Sequence, residues 1–194
     1  MSGTAPDVGV GRAGHPVDVV VRRATPADAA VLHDVAAASF ALACPPSVTE
    51  ESVALFVRDV LSRERFEAYL ADPARVLFVA QRPDVAGAVG YAMLVVGEPD
   101  DEDVRAALTH RPTAELSKIY VLPDSHGGGV SRLLMGAALE AAREAGAAGV
   151  WLGVNQLNVR AQRFYAKSGF TRVGTKRFLV GHRYEDDFVL EQRL

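Results

Sequence analysis

Glu115-Leu-Ser-Lys-Ile-Tyr-Val-Leu122, His126-Gly-Gly-Gly-Val-Ser-Arg132, Val150-Trp-Leu-Gly-Val154 and Asn158-Val-Arg-Ala-Gln-Arg-Phe-Tyr-Ala-Lys-Ser-Gly-Phe170 form the stretch whose reading decides the fold. It reads strand, glycine triplet, long Leu/Ala-rich helix, short apolar strand, helix. A glycine turn that leads from a strand into a helix exposes backbone N–H groups at the positive end of that helix, where they can hold phosphate oxygens.

Working outward, the flanking sequence adds strands and helices in a mixed order. Asp18 to Arg23 carries the β-rich Val19-Val20-Val21. Thr25-Pro26 is a helix start, with Thr25 as N-cap and Pro26 at the first helical position. That helix is expected to bear Ala30, Val31, Val35 and Ala38 on its inner face. Cys44-Pro45-Pro46 breaks it, and Thr49-x-x-Ser52 opens a second helical region. A short helix follows over Phe66 to Leu70, and 76–81 and 86–96 read as a hairpin. The acidic run Glu98 to Asp103 places carboxylates at the N-terminal end of a short helix at Val104 to Leu108. Phe170 to Val180 and Asp187 to Glu191 close the chain as antiparallel strands. The expected fold class is α/β (α+β): one domain with a central mixed, mostly antiparallel sheet and helices on both faces.

Composition narrows the function. The 194 residues fit a single domain. With 49% apolar and 23% charged residues the chain can bury a core. A net charge of −3 argues against a nucleic-acid binder, which carries a basic patch. One cysteine, Cys44, can build neither an internal disulfide nor a Cys-rich zinc site, and it fits a reducing compartment. His33, His110 and His182 show no metal-ligand spacing, so no metal is expected. No apolar run approaches the ~18 residues of a membrane span. Residues 1–16, punctuated by glycine and proline, lack a signal-peptide core and are expected to be a flexible tail on a cytoplasmic protein whose domain covers 17–194.

The glycine triplet alone admits several readings. A Walker loop needs Gly-Lys-Ser/Thr at its end, and the chain has no Gly-Lys pair. A dinucleotide fingerprint needs a third glycine at the position of Arg132. A His-Gly-Gly-Gly oxyanion element needs a Gly-x-Ser-x-Gly turn downstream, which is absent.

The residues resemble the acetyl-CoA-binding core of the GNAT superfamily of N-acetyltransferases. The superfamily loop pattern Arg/Gln-x-x-Gly-x-Gly/Ala lies on His126 to Ser131, with Gly129 matching, His in the first place and Ser in the last. The downstream pattern Asn-x-x-Ala-x-x-Phe-Tyr-x-x-x-Gly-Phe is matched in full by Asn158, Ala161, Phe164, Tyr165, Gly169 and Phe170. The likeness covers about residues 112–192, and element order alone carries it further upstream.

The resemblance implies acetyl-CoA as cosubstrate. Backbone amides from Gly127, Gly128, Gly129, Val130, Ser131 and Arg132 would take the pyrophosphate, with His126 at the mouth of the loop. Exposed backbone of Ile119, Tyr120 and Val121 would pair with the pantetheine amides where the next strand splays away. Asn155 and Asn158 would touch the cofactor, Asn158 also capping its helix. An amine with a pKa near 10.4 is mostly protonated at neutral pH and must lose a proton before attack, while the departing thiolate must gain one. The resemblance places the Tyr165 hydroxyl beside the sulfur as the acid. Glu115 is a candidate base, acting directly or through water. Leu133, Leu134, Leu139 and the alanines of the long helix are expected in the core. Asp186, Asp187 and the acidic run could instead attract a cationic amine.

The function expected is transfer of an acetyl group to a primary amine by direct attack in a ternary complex. The Glu115 strand, the helical N-terminal half and the Asp186-Asp187-Phe-Val-Leu-Glu ending are similar to the bacterial polyamine (spermidine/spermine) acetyltransferase group. Alternatives are a peptide or protein N-acetyltransferase and a non-catalytic acyl-CoA sensor or scaffold. The superfamily also commonly forms homodimers.

Overall fold

The structure, a computed structural model, describes residues 19–45, 48–126 and 128–194, apart from the side chain of Arg183. The expected tail and Gly127 lie outside the described residues. The chain runs β1 (Val20–Arg23), a 3₁₀ turn (Pro26–Asp28), α1 (Ala29–Ala43), α2 (Glu50–Val60), α3 (Arg63–Ala71), β2 (Arg75–Gln81) and β3 (Gly90–Val96). It continues with α4 (Glu102–Ala107), β4 (Thr113–Val121), a 3₁₀ turn (Pro123–Ser125), α5 (Val130–Glu144), β5 (Gly149–Asn155), α6 (Val159–Lys167), β6 (Thr171–Val180) and β7 (Arg183–Arg193).

The strands form one sheet in the order β1-β2-β3-β4-β5-β7-β6. Among the described residues only β4 and β5 run parallel, so the sheet is mixed and mostly antiparallel. Helices cover both faces. On one, α5 sets Leu134, Met135, Ala138 and Ala142 against Ala92, Leu94, Leu116 and Leu152. On the other, α1 to α3 pack Leu32, Phe40, Phe56 and Phe66 onto Leu77, Val79, Tyr91 and Met93. Farther along that face α4 packs Val104 and Leu108 on Trp151 and Val189. Among the described residues no helix is long and apolar enough to cross a membrane.

Local chemistry sets the helix starts. Thr49 and Ser62 accept hydrogen bonds from the Ser52 and Arg65 amides (3.2 and 3.3 Å), and Asp101 accepts from those of Asp103 and Val104. Each satisfies N–H groups that lack an intrahelical partner. At Thr25-Pro26 the outcome differs from the expected α-helix. Asp28 gathers the Thr25 amide (2.7 Å) and hydroxyl (2.9 Å) together with the Arg22 guanidinium (2.7 and 2.8 Å). The result is a single 3₁₀ turn, and α1 begins only at Ala29. Leu32, Val35, Ala36 and Phe40 face inward while Ala38 is exposed, because the more apolar stripe of the helix takes the sheet.

Two more expectations are corrected. The second hairpin strand begins at Gly90 rather than residue 86, because the turn extends through Gly87, whose φ of 83° suits only glycine well. Leu133 is 44% exposed although Leu134 is fully buried. Adjacent helical positions diverge by about 100°, so both cannot face the sheet.

Candidate active site

The site begins where β4 and β5 part. They pair only at Thr113, Ala114 and Glu115, opposite Gly149, Val150 and Trp151. On its other edge β4 stays paired with β3 as far as Val121. The β3 register shifts between Met93 and Leu94, which face Lys118 and Leu116, so Ser117 is an extra residue on β4. Such a bulge bends the strand that carries it. Beyond Glu115, the backbone groups of β4 that point away from β3 have no strand partner. A strand edge left open in this way seeks hydrogen bonds from elsewhere.

The glycine loop closes one end of this opening. Gly129 enters α5 with φ of 79°, a left-handed conformation that L side chains rarely adopt. The Arg132 and Leu133 amides already bond to the Gly129 carbonyl (3.0 and 3.1 Å). The Arg132 amide is therefore spent inside the helix, contrary to expectation, and the amides just before it are the ones at the head of α5. The Val130 side chain is core, leaving only its backbone for a ligand. His126 lines the cleft, yet its Nε2 donates to the Val121 carbonyl (2.9 Å) and ties the loop mouth to the end of β4.

Across the opening stands α6. The Asn158 Oδ1 accepts from the Ala161 amide (3.0 Å), as expected of a cap. The Asn155 Oδ1 accepts from the Leu157 amide (2.9 Å), and the Gln162 side-chain amide donates to the carbonyls of Asn155 and Gln156 (3.1 and 2.9 Å). These bonds fix the β5–α6 turn and so aim Tyr165. Its ring lies 5.4 Å from that of Phe164 and 6.0 Å from that of Phe170, centroid to centroid. Its hydroxyl makes no hydrogen bond among the described residues.

Two cavities meet at Tyr165. One runs toward the glycine loop along Ile119, Tyr120, Val121, His126 and Ser131. The other runs toward the charged side chains Glu115, Lys118, Lys176, Glu185 and Asp187, and Asn155 belongs to this one alone. They share Ala43, Ile119, Tyr120, Asn158, Ala161 and Tyr165. The structure thus brings Tyr165 and Glu115 to one cleft.

Burial governs the electrostatics. It raises the Tyr165 and Tyr120 hydroxyls well above the usual phenol range, and the charge of Asp187 adds to both. Both therefore stay protonated through neutral pH. Asp187 is 7% exposed; burial pushes it up to about 6 against the pull of Lys176, with Glu185 and Asp186 adding to the rise. Burial also raises Glu115, although Lys176, Lys118 and Arg75 oppose it. Cys44 lines the second cavity, and burial, with Glu185, moves its thiol up to about 11, which leaves it a weak nucleophile at neutral pH.

The sequence reading left Asp187 ambiguous and passed over Lys118, Lys176 and Glu185. The Glu185-x-Asp187 alternation, which puts two carboxylates on one face of a strand, was the available signal. Among the described residues no group of three His, Cys, Asp or Glu side chains could hold a metal ion.

Comparison with known proteins agrees with this architecture. The acetyltransferase (GNAT) family profile matches residues 43–170. An N-acetyltransferase of Mycobacterium tuberculosis is 48% identical over 167 residues, covering 86% of this chain and 98% of its own. Among solved structures, the PaiA N-acetyltransferase of Thermoplasma acidophilum in complex with coenzyme A has a TM-score of 0.72 at 18% identity, over 91% of this chain and 99% of that one. YncA of Salmonella typhimurium, solved with its cofactor acetyl-CoA, has a TM-score of 0.63 at 20% identity, over 91% and 94% of the two chains. At these identities the two structures speak to the fold, while the family match and the mycobacterial relative speak to ancestry. The chain belongs to the acetyltransferase (GNAT) family and is an N-acetyltransferase.

Proposed function

We propose that the protein transfers an acetyl group from acetyl-CoA to a primary amine by direct attack within a ternary complex. One observation carries this reading: a protonated tyrosine stands where a cleft lined by His126 and Ser131, at the head of α5, meets a cleft lined by buried carboxylates. The open edge of β4 suits the amides of a pantetheine arm, and the amides at the head of α5 suit a pyrophosphate. When bound, acetyl-CoA supplies the acyl group in activated form, as a thioester.

The remaining chemistry falls to side chains. The second cavity admits the amine beside Asp187, whose negative charge favours the ammonium form on arrival. Asp187 then takes the proton. Its charge reaches Tyr165, and its pKa of about 6 lies closer to neutrality than that of an ordinary aspartate. Glu115, the base expected from the sequence, sits among three cations and serves as the second carboxylate, acting through water. Tyr165 donates its proton to the departing sulfur, and the second proton, which leaves the nitrogen as the N–C bond forms, restores its hydroxyl. A domain that only bound acyl-CoA would need neither these carboxylates nor this hydroxyl. On the amine side the carboxylates support a small acceptor that arrives as an ammonium. Thiol release from acetyl-CoA, measured against spermidine, other small amines and lysine peptides, tests the reading. Turnover with at least one amine is expected; binding of acetyl-CoA with no transfer to any of them would defeat it.

Asp187→Asn separates chemistry from stability. The carboxylate works only when deprotonated, so activity of the unmodified protein should rise with pH through about 6. The variant should lose about 10²-fold in kcat/KM together with that acidic limb. Its stability should move the other way. A pKa raised in the folded state means that the folded protein binds the proton more tightly, so the charged form weakens the fold above about pH 6. Asp187→Asn should therefore gain about 1–3 kcal/mol at pH 8, with the gain shrinking toward pH 4. Thermal melts across that range check the sign.

A further inference from the structure

The acceptor end of the cleft contains cations as well as carboxylates. Lys118 on β4 and Lys176 on β6 both line it, and neither forms an ion pair among the described residues. Their ammonium groups lie instead against aromatic faces, Lys118 at 5.4 Å from the Tyr69 ring and Lys176 at 5.1 Å from the Trp151 ring. Arg75 shares that ring, with its guanidinium carbon 4.8 Å from the Tyr69 centroid. A partly buried ammonium without a counter-ion is costly unless something else neutralises it.

The charges of the two ends interlock. At the Tyr165 end Asp187 faces Lys176 as well as Glu185 and Asp186. At the far end Glu115 is acted on by Lys176, Lys118 and Arg75 and by the carboxylate of Asp100, and Arg75 is paired with Asp72 at 2.9 Å. Among the side chains that line the cleft, Lys118 and Lys176 are the cations. Lys176 lies opposite Asp187 in the β6–β7 ladder and joins the two regions.

We propose that the acceptor is an amine that also bears a carboxylate, its amine drawn toward Asp187 and Tyr165 and its carboxylate held by Lys118, with Lys176 beside it. The proposal rests on the transfer reading above and names the substrate class for the same site. A diamine or polyamine presents a second cation to Lys118 and Lys176, which like-charge repulsion disfavours. The transfer balances: Asp187 receives the first ammonium proton, the N–C bond forms as the C–S bond breaks, Tyr165 protonates the sulfur, and the second nitrogen proton restores the Tyr165 hydroxyl.

The experiment uses amines of matched length with three tails: aminobutyrate, butylamine and diaminobutane, plus homologues one carbon shorter and longer. Each is assayed for acetyl transfer and, separately, for binding to the CoA-loaded protein. The carboxylate tail should be favoured over the neutral tail by about tenfold in both readouts, with the ammonium tail weakest. Lys118→Met should bring the carboxylate-to-neutral ratio close to one, and Lys118→Arg should keep most of it. A preference for the ammonium tail, equal use of all three tails, or an unchanged ratio in Lys118→Met would overturn the proposal. Tail-selective binding without transfer would instead defeat the transfer reading and leave the carboxylate site standing.

Discussion

Tyr165→Phe should lower kcat by about 10²–10⁴-fold, the usual worth of a positioned proton donor, while the Kd for acetyl-CoA moves by no more than about threefold. The substitution removes one oxygen and keeps the ring. Phe164 and Phe170 hold that ring at 5.4 and 6.0 Å, so the shape of the cleft survives. The hydroxyl makes no hydrogen bond among the described residues, so no buried partner is orphaned and the fold should be as stable as before. Burial raises this hydroxyl far above neutrality, which keeps the proton in place until it is needed. If the variant keeps full turnover, Tyr165 is only a packing residue and the acid must be sought elsewhere. Tyr120, which lines both cavities and is raised in the same way, would be the next residue to test.

Gly129→Glu should abolish measurable acetyl-CoA binding, a loss of more than about 10²-fold in affinity. Two effects combine, and a second variant separates them. At φ of 79° any L residue is strained by about 1–2 kcal/mol. A Cβ there meets nothing within 4 Å, so no steric clash adds to the strain. Gly129→Ala should then melt only about 2–8 °C lower and still bind the cofactor. Glu adds a negative charge beside the amides that would hold the pyrophosphate, and it meets that group with repulsion where the helix head offers attraction. Calorimetric titration of both variants checks this. Undiminished affinity in Gly129→Glu would remove the loop from the cofactor site.

Much of the site was legible from short-range chemistry. Asn158 caps α6 through the Ala161 amide, and the glycine turn delivers α5 with its amides forward, because caps and left-handed glycines act within a few residues. Other expectations failed where a distant partner decided the outcome. Arg22, outside the Thr25-Pro26 signal, bonds Asp28 in the 3₁₀ turn, and α1 begins only at Ala29. Leu133 is as apolar as Leu134, and only the direction of the sheet determines which of them is buried.

By itself the sequence determined the order of strands and helices, the glycine loop and the placing of Tyr165 one helix after β5. Those follow from hydrophobic period, turn chemistry and capping, all written locally. The tertiary structure decided that β4 and β5 separate after Glu115 and Trp151, and that β7 brings Asp187 beside Tyr165 while β4 and β6 bring Lys118 and Lys176 to the same cleft. Those residues lie up to 72 positions apart, between Glu115 and Asp187. Their pKa values and selectivity depend on burial and on mutual distance, and neither quantity exists until the sheet has formed.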